Sequence, residues 1–408
     1  MRIGRRLRRR RRGNAEFPAF IRFSDEAAAG GLFYLRQKMR KVVYAVAVKC
    51  LLSFALLFVT SYVSAQGAQP RLVAEVNLES LGVAIPGASE VSRHAMELLF
   101  LSDSRIVMFD SIAPNYTNDS PLTLAGDRRF ISVDASRGAI VQTIALEPKE
   151  WGDARQWAQL QRISDDEFAI AHTTGMMFCN AGLECKQGAP LVGTFQFAPN
   201  GSHFVISSAT QGDRRWADYS RELKPLGSYA EGAFSQILVA NKGVFFVSPS
   251  QLRFYATAGA SAVNLRSDAS PASLALAGSD GVAYLRGNKH ELAVVRSNGS
   301  EPYQVNLRSL PAMPWNTHLV SSADGRLFGA EWTANTKLQL INPFACIDEC
   351  PVPGLQYFAV FSANDGKLVA SFEWDPRPWN MYVVPALSPD GTLTALVQGS
   401  TLKIYALR

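Results

Sequence analysis

A proline–tryptophan–asparagine triplet occurs twice in the same setting, in "PWNTHLVSSADG" (Pro314–Gly325) and "PWNMYVVPALSPDG" (Pro378–Gly391). Trp offers a large apolar face, and Asn offers hydrogen-bond donors and acceptors on one short side chain. The pair suits sugars, peptides or aromatic ligands. The plainer alternative is that Trp packs between neighbouring elements and Asn caps a turn. The usual signatures of catalysis are missing: there is no HExxH, GxSxG, P-loop, GxGxxG or calcium-binding DxDxDG. The five histidines, His94, His172, His203, His290 and His318, are scattered without ligand-spaced partners. His172 follows the apolar "EFAIA" and His318 begins "HLVSS", so both read as core or face histidines. No catalytic residue, resident metal or cofactor is expected.

Four cysteines form two local pairs, "CNAGLEC" (Cys179, Cys185) and "CIDEC" (Cys346, Cys350). An even number in an exported chain suggests disulfides, each stabilising by roughly 2 kcal/mol in the chain-entropy view. A zinc site usually has tighter spacing and a nearby His, and neither pair has one. No CxxCH occurs, so c-type haem is not indicated.

These residues must be held by strands. Beyond Ala65 the chain is a succession of short apolar runs, among them "RLVAEVNL", "MELLFLS", "SQILVAN", "THLVSS", "KLQLIN", "YFAVFS" and "KLVASFEW", with turn residues between them. Only Trp151–Leu160 reads as a short helix. Many short strands at regular spacing indicate an all-β sandwich, barrel or propeller. The turns decide among these. "APNG", "ANKG", "GSDG", "SADG", "ANDG" and "SPDG" end in glycines at 201, 243, 281, 325, 366 and 391, with gaps of 42, 38, 44, 41 and 25. Four gaps near 40 are an internal repeat of propeller length. In each turn Asp or Asn tolerates left-handed or bridge angles, and Gly supplies positive φ.

In these turns the chain resembles the secreted bacterial β-propellers of the WD-repeat-like and YVTN-like type, in which "SPDG" recurs between the first and second strands of a blade. The resemblance covers about residues 71–408, without the GH…WD signature or the YVTN tetrapeptide, so no subfamily follows. It implies four-stranded blades, expected near 90–150, 153–190, 191–229, 230–267, 268–309, 310–354 and a terminal region. Seven blades are expected, with eight left open by the 25-residue gap. It also implies that connections leading into innermost strands lie at the channel mouth, where propellers usually bind ligands. Trp315, Asn316, Arg377, Trp379 and Asn380 would then share that face, with Arg93 and His94 at the matching place in the first blade. Both cysteine pairs follow a third-strand pattern and would staple outer hairpins on the opposite face. The last segment, "MYVVPALSPDGTLTALVQGSTLKIYALR", supplies three strands. "RLVAEVNL" is expected to pair with "TLKIYAL" and close the ring, because an unpaired edge invites aggregation.

The formal charge of +6 misleads. Residues 1–65 hold 14 Lys and Arg against Glu16, Asp25 and Glu26, and the remaining 343 residues have a net charge of −5. A nucleic-acid partner is therefore not expected, although basic chains often suggest one. Met39-Arg40-Lys41, two apolar runs interrupted by Lys49, and "SYVSA" before Gln66 resemble a secretory signal peptide. Neither run approaches the roughly 20 residues of a membrane span. The domain expectation is an Arg-rich extension at 1–38, a signal peptide at 39–65 cleaved near Ala65, and one propeller at 66–408. Membrane contact would be limited to the signal peptide, and the product would be a secreted or periplasmic monomer. Three functions remain: a binding or scaffold module for a protein, glycan or small ligand, a propeller enzyme of the lactonase or quinoprotein dehydrogenase class, and a structural module without ligand. Few charges in the expected innermost strands "SQILVAN", "SLALAGS", "THLVSSA" and "YFAVFSA" favour the first.

Overall fold

Short β-branched and aromatic runs broken by Gly, Asp and Asn cannot sustain long helices, and they fold as antiparallel strands joined by tight turns. A computed structural model describes residues 70–81, 93–113, 128–146, 160–172, 175–191, 193–210, 213–231, 236–248, 250–269, 274–286, 291–305, 310, 317–333, 355–374 and 381–407.

The described part begins with β1 (Arg71–Asn77) and a single 3-10 turn, Glu79–Leu81. The first four-strand group is β2 (Arg93–Ser102), β3 (Arg105–Ala113), β4 (Arg128–Asp134) and β5 (Ala139–Leu146). Next come β6 (Leu160–Arg162), β7 (Glu167–His172), β8 (Gly175–Asn180) and β9 (Cys185–Ala189). They are followed by β10 (Phe195–Phe197), β11 (His203–Thr210), β12 (Asp213–Ser220) and β13 (Pro225–Tyr229). The central part holds β14 (Gln236–Ala240), β15 (Gly243–Ser248), β16 (Ser250–Tyr255), β17 (Val263–Ala269), β18 (Ala275–Leu276), β19 (Gly281–Arg286), β20 (Glu291–Arg296) and β21 (Tyr303–Gln304). The last strands are β22 (His318–Ser321), β23 (Leu327–Thr333), β24 (Gln356–Ser362), β25 (Leu368–Trp374), β26 (Met381–Tyr382), β27 (Ala386–Leu387), β28 (Leu393–Gln398) and β29 (Thr401–Ala406).

The strands form an all-β propeller of four-stranded antiparallel blades. Five sheets are separate blades: β2–β5 with β26 added, β6–β9, β10–β13, β22–β25, and β27–β28–β29–β1. In the sixth sheet β14–β17 and β18–β21 are joined through one residue pair, Ala269 with Arg286. The N-terminal strand closes the C-terminal blade as expected. β1 runs antiparallel to β29, with Arg71 opposite Ala406 and Asn77 opposite Thr401.

Each apolar cluster lies between two consecutive groups. Leu101, Phe109 and Phe130 meet Leu160, Phe168 and Ile170. Phe245, Leu252 and Val247 meet Val282, Tyr284 and Val295. Around the seam, Met96, Phe100, Ile106 and Met108 meet Ala395, Leu402 and Ile404. The middle strands are therefore covered on both faces and read as continuous apolar runs rather than alternating ones; Val244–Val247 of β15 are all buried. The outermost strand β5 is mostly exposed.

The turns from first to second strand touch one another around one end of the propeller. Asn200 N donates to Asn241 Oδ1, Gly278 N to Gly325 O, Asp324 N to Pro389 O, and Asp390 N to Asp103 Oδ1. Gly325 shows why glycine is needed there. Its φ is +68°, and a Cβ would stand 2.6 Å from the Gly278 carbonyl oxygen of the neighbouring turn.

Several expectations are corrected. Leu160 begins a strand rather than ending a helix, and 151–159 lie outside the described residues. "YFAVFS" and "KLVASFEW" are β24 and β25, the third and fourth strands of the blade that begins at His318, and not part of a terminal region. "ANDG" is thus a third-to-fourth-strand turn, which removes the 25-residue anomaly. "KLQLIN" lies outside the described residues. "MYVVPA" divides: Met381–Tyr382 pairs with β2, while the last blade takes Ala386–Leu387.

Candidate functional site

Apart from β2, the innermost strands span two to five residues, and alternate residues of such strands face the central channel. A cavity of about 500 Å³ occupies that channel, lined from β2, β6, β10, β14, β22, β27 and the Leu274–Leu276 segment. This lies within the roughly 300–1,000 Å³ typical of small-molecule sites. The wall is mixed, with somewhat more polar than apolar surface; its apolar members include Met96, Leu98, Leu274, Leu276, Leu319 and Val384. Its polar members include Gln161, Gln196, Ser321 and Ser322, and its ionisable members are Glu97, Arg162 and His318.

Glu97 is carried by β2, in the otherwise apolar "MELLFLS". Its Oε2 accepts a 2.6 Å hydrogen bond from Leu160 N of the next blade. Burial pushes its carboxyl up to about 7, against the opposing pull of that N–H. Channel solvent reaches the group, but most of its surroundings are protein. Each nitrogen of the Arg162 guanidinium on β6 makes a contact: Nε donates to Leu101 O at 2.8 Å, Nη1 to Pro199 O at 3.3 Å, and Nη2 to Asp165. Burial lowers the pKa of His318 on β22, although the ring remains exposed to the channel. Gln196 Oε1 accepts from Val239 N at 3.1 Å, a second side-chain link between neighbouring inner strands. Among the described residues, no three of His, Cys, Asp or Glu are grouped to hold a metal ion.

Arg93 and His94 are the first residues of β2. The backbone of His94 stands opposite Ile112 on one side and Met381 on the other. Met381 directly follows Asn380, so the chain leaving the second PWN segment runs beside the start of β2. Trp315, Asn316, Arg377, Trp379 and Asn380 themselves lie outside the described residues. The first PWN segment leads into Thr317, which is buried, and then into β22.

Cys179 and Cys185 form a disulfide across β8 and β9, with Cα atoms 4.1 Å apart, on an outer hairpin as expected. Cys346 and Cys350 lie outside the described residues. In the sequence they fall between β23 and β24. His203 belongs to a structural network away from the channel: Nδ1 is 2.9 Å from Asp218 Oδ1, and Tyr229 OH donates to Asp218 Oδ2 at 2.7 Å. In the next blade Tyr255 OH donates to buried Glu231, and burial followed by that contact pushes the phenol up to about 12. His172 ends β7, and His290 lies outside the described residues.

Glu97 and Arg162 were missed because the innermost strands weighed for charge came from later blades. One of those strands, "YFAVFSA", is a third strand. The signal was present: a lone Glu inside an apolar strand that ends at a first-to-second-strand turn points its carboxyl into the channel or the core.

Neither a protein-family model nor a curated protein matches the chain. Among solved structures it is similar to Hsv2 of Kluyveromyces lactis, at 11% identity over 75% of this chain and 90% of that one, with a TM-score of 0.46. It is also similar to a chain of the hydrazine synthase of Kuenenia stuttgartiensis, at 8% identity over 79% and 98%, with a TM-score of 0.46. A chain of a nidogen/laminin complex matches at 8% identity over 53% and 80%, with a TM-score of 0.33.

Proposed function

We propose that this chain is an exported, non-enzymatic propeller of seven blades that binds a protein, glycan or small ligand at its channel. The observation that carries the reading is the cavity of about 500 Å³, whose mixed wall sets hydrogen-bonding groups beside apolar side chains. That volume is typical of ligand sites. The seven-blade count rests on dividing the eight-stranded sheet at the single Ala269–Arg286 pair. The channel mouth is assigned to Arg93, His94, Trp315, Asn316, Arg377, Trp379 and Asn380, supported by the approach of Met381 to His94. Membership in the WD-repeat-like and YVTN-like type is supported by the recurring first-to-second-strand turns. Export is supported by the leader and by a Cys179–Cys185 disulfide of the kind that oxidising compartments favour.

One observation favours a second reading. A carboxyl held near neutrality inside a cavity is suited to general acid–base chemistry, which would fit a propeller enzyme of the lactonase or quinoprotein dehydrogenase class. Both readings are tested on the secreted chain. Thermal shifts with oligosaccharide and peptide panels should find a stabilising ligand whose effect drops at least fivefold in Trp315→Ala or Trp379→Ala. Lactone hydrolysis or dye-coupled alcohol oxidation that is lost in Glu97→Gln would replace the binding reading with the enzymatic one.

A further inference from the structure

The ionisable side chains of the cavity are unequally satisfied. Arg162 spends its guanidinium on two backbone carbonyls and Asp165. His318, its pKa lowered by burial, is uncharged at neutral pH. Glu97 offers Oε2 to Leu160 N, while among the described residues nothing donates a hydrogen bond to its Oε1. It has no cationic partner there either. A buried carboxylate without a counter-charge is costly, and a guest that supplies one removes the cost. Apolar side chains of the same cavity, Met96, Leu274, Leu276 and Leu319, offer contact to a short hydrocarbon body.

We propose that the channel binds a small organic cation, an alkylammonium group with an apolar body, whose charged nitrogen pairs with Glu97. This rests on the binding reading above and names its ligand class. An anionic guest would face the Glu97 carboxylate, and a neutral polyol would leave that carboxylate uncompensated. Only ionised Glu97 attracts the guest, so affinity follows the ionisation of that carboxyl, with its midpoint at about 7 in the empty channel. Of the other ionisable groups facing the cavity, Arg162 is paired with Asp165, burial holds His318 below its ordinary range, and an alkylammonium keeps its proton up to about pH 10.

Isothermal titration calorimetry with n-butylammonium and putrescine at pH 5.5, 7.0 and 8.5 tests this. Affinity should rise roughly thirtyfold from the lowest to the highest pH, following the ionised fraction. Proton release should be visible at pH 7.0 as a dependence of heat on buffer. Glu97→Gln keeps an acceptor for Leu160 N and should weaken binding at least tenfold at pH 8.5, while 1-butanol should bind weakly and equally at every pH. Affinity independent of pH in the unaltered protein, or undiminished in Glu97→Gln, overturns the proposal. The unaltered protein alone decides the pH arm if the variant fails to fold. A neutral sugar or peptide that binds both forms alike, with no response to either amine, would overturn the cationic guest and keep the channel as a binding site. Failure of every guest class would overturn both.

Discussion

Glu97 sets a cost that depends on pH. Its carboxyl is raised from 4.5 to about 7 by burial, so the folded chain keeps a proton that the unfolded chain has lost. The stability this group contributes is full below pH 4.5 and falls as pH rises through about 7. Glu97→Gln removes the charge and keeps the shape. At pH 8 the variant should be more stable by up to about 3 kcal/mol, which is roughly 4 °C for a domain of this size. At pH 3 the two should melt together, because both side chains are then neutral in the folded and the unfolded chain alike. Differential scanning calorimetry at the two pH values checks this. An equal difference at both values would mean that packing, not charge, separates the variants.

At the scale of strands and turns, much of the fold was legible because its grammar is local. "SPDG", "SADG" and "APNG" each mark a first-to-second-strand turn, and positive φ at Gly391, Gly325 and Gly201 supplies the physical reason. "ANDG" has the same grammar, and Gly366 has the same left-handed φ, yet it joins β24 to β25. Turn chemistry reports a reversal of the chain and not the rank of the strand that follows. That rank depends on the long connection after β23, which carries no such mark. "MYVVPA" misled for a related reason: Met381–Tyr382 is strand-like, but its partner β2 lies almost 290 residues earlier in the chain. The channel side of the site was harder to read, because which alternate residue faces inward follows from blade order. The outer hairpin β8–β9 was legible from cysteine spacing alone. Replacing Cys179 and Cys185 together with serine should cost about 2 kcal/mol in the chain-entropy view, measured by urea denaturation. No loss beyond error would show that the turn at Asn180–Glu184, with its own hydrogen bonds, holds the hairpin unaided.

For the whole molecule, β1 joins two blades across the seam. It extends the C-terminal blade through β29, and its Val76, with Leu78 just beyond it, is buried in the cluster shared with β2–β4. The following 3-10 turn is tied to the first blade, where Arg129 donates to Leu81 O while paired with buried Asp110. Deleting Arg71–Leu78 should lower stability by at least about 3 kcal/mol from the two lost side chains alone. It should also expose the edge of β29 to aggregation. Thermal melting with light scattering checks both, and a deletion that melts like the parent would refute the closure. The same pairing has a consequence for the order of the chain. Arg71 faces Ala406 across one ladder step, so the first and last strands of the propeller meet, and the ring of blades is mechanically a circle cut once. The cut need not fall where it does. A short bridge from residue 70 to residue 407, with a new opening at Gly259, where a Cβ would meet nothing within 4 Å, would spell the same wheel from a different first letter.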